Sequence, residues 1–163
     1  MVHEIYSYSL DQLDNLEKNL EFQTFNSETA WNLGSCARKL ANEKYPGKSI
    51  LINITLSDGH VLFQTAVGKG TTIDNDKWVQ RKINTVLRFG KSSFYIGQKL
   101  RIKEKSIEDA NFVSSFDYAS HGGSVPLKLV NFDSIIGALT ISGLAQEEDH
   151  LFAIEILETF LHM

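Results

Sequence analysis

The spacing of apolar residues predicts that the chain begins with helices. Leucines at helical spacing alternate with acidic residues over residues 9–21, which is typical of an amphipathic helix. A narrow stripe of small apolar residues predicts a second helix over residues 27–44. Ser27 can cap this helix, and the Pro46-Gly47 break follows its end. The small residues favour close packing of this helix against a sheet or another helix.

Two runs of strand-forming residues predict a β-hairpin over residues 49–67. They flank Asp58-Gly59, a preferred pair for a two-residue type I′ turn. Such a turn places Leu56 opposite Val61, Ile54 opposite Phe63 and Ile52 opposite Thr65. This register keeps the apolar side chains on one face of the hairpin.

The second half of the chain predicts helices on either side of another strand pair. Helices are predicted over residues 74–89 and 92–100, a loop over 101–109, and strands over 125–130 and 135–141. Glu147, Glu148 and Asp149 begin the last helix, where carboxylates suit the positive end of the helix dipole. The order of elements predicts a single α/β domain of the α+β kind, an antiparallel sheet of at least four strands flanked by helices.

Charge along the chain is strongly segregated. Residues 77–105 carry nine basic side chains against one acidic one, a net charge of +8, whereas the rest of the chain carries −12. This segregation favours a small anionic ligand or an acidic patch on another subunit. A solvated basic face is the alternative. No nucleic acid is expected, because the overall net charge is −4 and no recognition motif accompanies the basic stretch.

The composition indicates a cytoplasmic protein. The single cysteine, Cys36, excludes a disulfide within the chain, and no apolar run reaches the roughly 18 residues of a membrane helix. We therefore expect no membrane partner. The sequence also lacks a secretion signal and any serine or cysteine arrangement typical of covalent hydrolases.

Two separated segments, residues 74–97 and 121–150, carry the candidate functional side chains. In the first, Trp78 lies one helical turn from Arg81, and Arg88 lies two turns further, so a flat ring and guanidinium groups can share a face. Such a pairing suits a carboxylate, a phosphate or a haem propionate. A helix that buries Trp78 in the core and leaves its basic residues solvated is the alternative.

The second segment contains a histidine followed by two glycines and then a cluster of acids. His121 can bind a metal or haem iron or transfer protons, and Gly122 and Gly123 permit close approach of the backbone. An ordinary turn is the alternative. The cluster comprises Glu147, Glu148, Asp149 and His150. Glu147 and His150 have the i, i+3 spacing of carboxylate-bridged metal sites, but one such pair is far from a full ligand set. No metal is assigned, and helix-terminus electrostatics explains the acids equally well.

The stretches HGGSVPL and IIGALTISGLAQEEDHLFAI resemble the haem-degrading-domain superfamily, which includes the HbpS-like and GlcG-like proteins. The motifs DNDKWVQRK, LRFGKSSFYIG and SGLAQEEDH, taken together, are similar to its uncharacterised cytosolic branch, which includes a baker's yeast protein. The resemblance covers nearly the whole chain. It implies a profilin-like sandwich and a homo-oligomer, as dimers or rings of dimers. It also implies that haem is a possible cofactor.

Three functional hypotheses remain open at this point. The first is a ligand-binding module that holds haem or another planar anion near Arg81, Arg88 and His121. The second is an oligomeric interaction protein, in which the basic segment meets the acids at 147–149 of a neighbouring subunit; the resemblance to the fungal relative implies delivery of tail-anchored proteins. The third is an enzyme that acts on a small metabolite with His121 or His150 as acid–base, which we rank last.

Overall fold

A computed structural model describes residues 3–163 as one antiparallel sheet of four strands with helices on both faces. The elements are a 3₁₀ turn (Glu4–Ser7), α1 (Leu10–Glu17), α2 (Ser27–Lys44), β1 (Ile50–Leu56), β2 (Val61–Val67), α3 (Ile73–Phe89), α4 (Ser93–Lys103), α5 (Ile107–Asn111), β3 (Ser124–Leu127), β4 (Gly137–Ser142) and α6 (Gln146–Leu161). The predicted single-domain α+β architecture is confirmed. No helix within residues 3–163 combines the length and apolarity needed to cross a membrane.

The sheet has the strand order β2-β1-β4-β3, so β1 and β4 are central. One face packs against α2 and α6 and holds the main core, to which β1 contributes Ile50, Ile52 and Ile54. The opposite face packs against α3, where Leu51 meets Val79 and Ile83. Each helix therefore buries an apolar stripe against a sheet face, as a layered domain requires.

The predicted hairpin is present, but its turn differs from the predicted two-residue form. Ile54 pairs with Phe63 as expected, whereas Val61 pairs with Thr55 instead of Leu56 because the register shifts after Ile54. The backbone N–H of Leu56 donates to the carbonyl of His60, which closes a longer loop. The expectation from Asp58-Gly59 was therefore wrong in its last pair, because a bulge inserts one residue.

Four of the predicted boundaries differ in the structure. The first helix ends at Glu17 rather than at residue 21, since Asn19 adopts a left-handed conformation (φ 68°). The stretch 101–109 is not a loop, because α4 continues to Lys103 and α5 begins at Ile107, whose side chain packs in a small apolar cluster. β3 stops at Leu127, because the following residues exchange hydrogen bonds with Phe22 instead. β4 begins at Gly137 rather than at residue 135.

Gly143 determines how the chain passes from β4 into α6. Its φ is 142°, and a Cβ atom at this position would lie 2.2 Å from the carbonyl oxygen of Ser49. Only glycine combines that conformation with so close an approach to β1. The close approach places the first turn of α6 beside the end of the sheet, next to the first turns of α3.

Candidate functional site

The two segments singled out in the sequence meet at a cleft of about 310 Å³. α3 contributes one wall, the loop before β3 contributes another, and the junction between β4 and α6 forms the floor. Its lining includes Trp78, Lys82, His121, Gly143, Gln146 and Asp149. The volume lies at the lower end of the range for small-molecule sites, roughly 300–1,000 Å³.

Aromatic rings form one wall of the cleft. The rings of Trp78 and His121 meet edge to face, with their centroids 4.8 Å apart. The guanidinium of Arg81 lies 4.5 Å from the centre of the Trp78 ring, and its Nε and Nη2 atoms donate to the carbonyl of Ser115. The loop and α3 are thus joined at the mouth of the cleft, and Arg81 braces Trp78 by a cation–π contact.

His121 is an exposed imidazole whose environment favours its neutral form. Partial desolvation lowers its pKa below 6.5, and the positive charges of Lys82, Arg81 and Arg101 lower it further. A neutral imidazole carries one N–H donor and one nitrogen lone pair. His121 can therefore donate to a ligand or offer a nitrogen to a metal ion at neutral pH.

The two glycines after His121 allow the loop to pack against α6 and α3. The N–H of Gly122 donates to the side chain of Gln146. Gly123 has φ 139°, and a Cβ there would lie 2.3 Å from the carbonyl oxygen of Ile141 and 2.6 Å from Nζ of Lys82. Any side chain at position 123 would occupy the space of the lysine ammonium.

A buried ion pair lies at the base of the cleft. Nζ of Lys82 donates to the carboxylate of Asp149 at 3.1 Å and to the carbonyl of Ile141 at 3.0 Å. Burial raises the pKa of Asp149 to about 6, although Lys82 and backbone donors oppose the shift, and burial lowers the pKa of Lys82. Both shifts disfavour the charged forms, so burial weakens the preference for the ion pair over the neutral amine and neutral acid, compared with a solvated pair.

The N-terminus of α6 faces the same cleft. Ala145 occupies the N-cap position and cannot accept a hydrogen bond with its side chain. The carboxylate of Asp149 accepts from the backbone N–H of Leu144, one residue before the cap. The N–H groups of the first turn therefore lack a capping side chain, and such groups attract anions.

The remaining candidate residues lie outside the cleft or face away from it. Arg88 packs against Tyr118, and Glu147 accepts a hydrogen bond from the hydroxyl of Tyr6. Glu148 is exposed. His150 is fully buried and stacks on Phe94, and burial lowers its pKa to about 3. Of the two histidines considered as acid–base groups, only His121 is accessible to a ligand.

The sequence prediction missed the pairing of Lys82 with Asp149. Lys82 is one of the nine basic residues at 77–105, and helix-terminus electrostatics explains Asp149 without a partner, so the local patterns do not pair them. The signal was available, because Lys82 falls between Val79 and Val86 on the apolar stripe of α3. A lysine at such a position needs a buried partner. Within residues 3–163 no three His, Cys, Asp or Glu side chains group as metal ligands.

A larger groove of about 690 Å³ lies between α2 and β2. Its walls include Trp31, Leu62 and Phe63, and it contains none of the residues singled out in the sequence. Its charged groups are Lys39 and Arg38, and Arg38 already donates to Thr65 and to the carbonyl of Ala66. The smaller cleft differs from this groove in that polar side chains from several elements converge on it.

Comparison with known proteins defines the class to which the chain belongs. The family described as haem degrading protein HbpS-like matches residues 25–158. The chain belongs to this HbpS-like family. It is 44% identical over 151 residues to UPF0303 protein YBR137W of Saccharomyces cerevisiae, with 93% of this chain and 83% of the relative covered. It is 40% identical over 151 residues to a UPF0303 protein of Psychromonas ingrahamii, with 92% and 91% covered.

Solved structures agree with this assignment. The crystal structure of the Ybr137w protein matches with a TM-score of 0.91 at 44% identity, covering 94% of this chain and 88% of that one. The structures of HbpS and of a PduOC:heme complex match with TM-scores of 0.64 and 0.66. They cover 86% and 83% of this chain, and 92% and 94% of their own chains. At 13% and 14% identity these two show the shared fold alone.

Proposed function

We propose that this protein is a ligand-binding module that holds a small, planar anion in the cleft between Trp78, His121 and the start of α6. The observation that carries the proposal is the convergence of two segments far apart in sequence on one concave surface. Concave sites with a few converging polar groups are the usual places for small ligands. The basic character of residues 77–105 adds long-range attraction for an anion.

The groups around the cleft divide the binding between them. The Trp78 ring offers a flat apolar surface, and the imidazole N–H of His121 can donate to a carboxylate oxygen. The uncapped first turn of α6 offers backbone N–H groups and the positive end of its dipole. Asp74, which also lines the cleft, opposes a highly charged anion, so a monocarboxylate fits best.

Haem fits this site only in part. The neutral imidazole of His121 can ligate iron, and Arg81 beside Trp78 can face a propionate. A cleft of 310 Å³ is too small to enclose a porphyrin. A single protomer would therefore leave most of the macrocycle exposed to solvent. Bound haem would supply redox chemistry at its iron. Haem is therefore the second candidate ligand, supported by the family and by the haem complex of a structural relative.

Tryptophan fluorescence tests the proposed site because the chain contains two tryptophans, one at each cavity. In the Trp31→Phe variant we expect benzoate to change the remaining Trp78 emission saturably. His121→Ala in that background should weaken benzoate binding about tenfold, the value of one hydrogen bond of roughly 1.4 kcal/mol. Haem is titrated in parallel, with a Soret shift as readout.

The matched control is the Trp78→Phe variant, which reports on Trp31 in the α2–β2 groove. If benzoate changes the emission of Trp31 in Trp78→Phe but not that of Trp78 in Trp31→Phe, the anion binds in the α2–β2 groove and the proposal is contradicted. If His121→Ala binds benzoate with unchanged affinity, His121 does not contact the ligand. If haem gives a Soret shift that His121→Ala abolishes, and benzoate gives no response, haem rather than a small anion is the ligand of this site.

We propose homo-oligomerisation as a second, compatible role. Phe112 and Phe116 are 86% and 89% exposed, and Trp31 is 62% exposed. Exposed apolar side chains that form a contiguous patch mark interaction surfaces, and Phe112 and Phe116 lie only four residues apart. Asp149 is paired within the protomer and Glu147 is bonded to Tyr6, which leaves Glu148 as the exposed acid of that cluster. The exposed aromatic side chains therefore support self-association better than contact between the basic segment and this cluster.

Light scattering after size exclusion measures this association. We expect a mass above that of one 18.3 kDa chain, and a lower mass for the double variant Phe112→Ser/Phe116→Ser. The matched control Ile73→Ser removes an exposed apolar side chain from another element, α3, and should leave the mass unchanged. A wild-type protein that runs as one chain at every concentration would contradict the proposal.

A further inference from the structure

Lys82 has one N–H donor without an acceptor among the residues described. An ammonium carries three N–H donors, and Nζ of Lys82 uses one for Ile141 and one for Asp149 among the residues described. The same side chain lines the cleft although it is almost wholly buried. The third position of Nζ is therefore the one available to a ligand.

The backbone around Lys82 is shaped to accommodate its amino group. A Cβ at position 123 would lie 2.6 Å from Nζ, so the glycine there keeps the space open. A buried ion pair is a weak way to stabilise a fold, since hydrophobic residues of similar size often do as well or better. A lysine that is desolvated, faces a cleft and touches a carboxylate matches the requirements of an amine nucleophile.

We propose that Lys82 captures a small 2-oxo acid by forming a reversible imine with its carbonyl carbon. The inference rests on the proposed function, because the cleft must first hold the carboxylate of the same molecule. Beyond the proposed function, the inference names the ligand class, a carboxylate next to a ketone or aldehyde. It also names Nζ of Lys82 as the atom that bonds to the carbonyl carbon.

The covalent step balances without a further reagent. Lys82 passes one proton to Asp149, and the free amine then attacks the carbonyl carbon, forming the C–N bond while the carbonyl oxygen takes up a proton from Asp149. Nitrogen returns a proton to Asp149, which delivers it to the hydroxyl of the carbinolamine. The C–O bond breaks and water leaves. An ammonium and a carbonyl have become a protonated imine and one water, and no electrons have left the system.

The surroundings favour the first proton transfer. Burial lowers the pKa of Lys82 and raises that of Asp149 to about 6, so both shifts bring the neutral amine and the neutral acid closer in free energy to the ion pair. The ionisable groups around the pair are Asp74 in α3, Arg81 beyond Trp78 and His121 in the loop, whose neutral form is favoured. Trp78 shields the imine from water on one side.

Reductive trapping tests this proposal. The intact protein is incubated with pyruvate and cyanoborohydride, and intact mass and peptide mapping then locate any carboxyethyl group. We expect a single adduct on Lys82 of the wild-type protein, slowed by excess lactate, which carries the carboxylate without the ketone. Lys82→Arg, which keeps the charge but is not a primary amine, should remove that adduct.

Lys77→Arg is the matched control, because Lys77 is an exposed lysine on the same helix. This variant should be labelled as the wild type is. Labelling spread over surface lysines, or an adduct that mapping of the wild-type protein places elsewhere, overturns the inference even if Lys82→Arg does not fold.

The proposed function fails separately from this inference. If lactate and pyruvate both change Trp78 emission in the Trp31→Phe protein but no adduct forms on Lys82, the anion site stands and the imine is wrong. If lactate, pyruvate and benzoate all leave the emission unchanged and no adduct forms, both are wrong. An adduct on Lys82 that lactate slows supports both.

Discussion

Replacing Lys82 with methionine is expected to lower the free energy of unfolding by about 3–5 kcal/mol at pH 8. Methionine has a similar length but leaves the carboxylate of Asp149 buried without its cation. The loss of Lys82 should also raise the pKa of Asp149 above its value of about 6. Urea denaturation followed by circular dichroism measures the change.

The pH dependence of this variant has a definite sign. A carboxyl whose pKa is raised in the folded state binds protons more tightly there than in the unfolded state. Its protonation therefore stabilises the fold fully below the unfolded pKa near 3.8, and this stabilisation is lost as pH rises through the folded pKa. The deficit of Lys82→Met should therefore shrink as pH falls from 8 towards 5. The double variant Lys82→Met/Asp149→Leu should recover most of the loss. An exposed ion pair contributes at most about 1 kcal/mol. If the free energy of unfolding of Lys82→Met lies within that amount of the wild-type value, the Lys82–Asp149 pair is solvated and the account of a buried pair is wrong.

Gly123→Ala is expected to lower the free energy of unfolding by about 3 kcal/mol or more. The residue has φ 139°, and the added Cβ would meet the carbonyl oxygen of Ile141 at 2.3 Å. Because Nζ of Lys82 is also within 2.6 Å, any relaxation should displace the ion pair and weaken benzoate binding. Thermal unfolding and the Trp78 titration measure the two effects.

Gly47→Ala is the matched control for the backbone contribution. Gly47 also has a positive φ, 79°, but a Cβ there would have no neighbour within 4 Å. Its replacement should cost only about 1 kcal/mol, through conformational strain. If alanine lowers the free energy of unfolding equally at positions 47 and 123, the close contacts around Gly123 do not contribute to the loss.

The sequence predicted the elements whose signals are local. The second helix was predicted over residues 27–44 and spans Ser27–Lys44, because a stripe of small residues and a break coincide. The predicted cap was wrong, since Asn26 accepts from the N–H of Thr29 and Ser27 is already the first helical residue. The hairpin strands were equally clear. The turn between them was not, since the bulge after Ile54 depends on pairing across the sheet. Residues 101–109 read as a loop because their helical character comes from packing, which the polar pattern does not record.

The candidate site was predicted as a pair of segments but not as a set of contacts. Trp78 and His121 were both named, and their rings meet edge to face in one wall of the cleft. Arg88 and His150 were named as well, yet one packs on Tyr118 and the other is fully buried. Helical spacing specifies a face, whereas the loop that covers this face comes from thirty or more residues away in the sequence. The role of Lys82 required that long-range information.

Hydrogen–deuterium exchange with and without benzoate tests the central claim most directly, because it reports on all segments at once. The account predicts slower exchange in the first turn of α6 and in the loop around residues 121–123, with no change in the α2–β2 groove. The effect should be lost in His121→Ala. Protection confined to α2 and β2, or protection of α6 without the loop, would contradict the claim that the two segments form one ligand site.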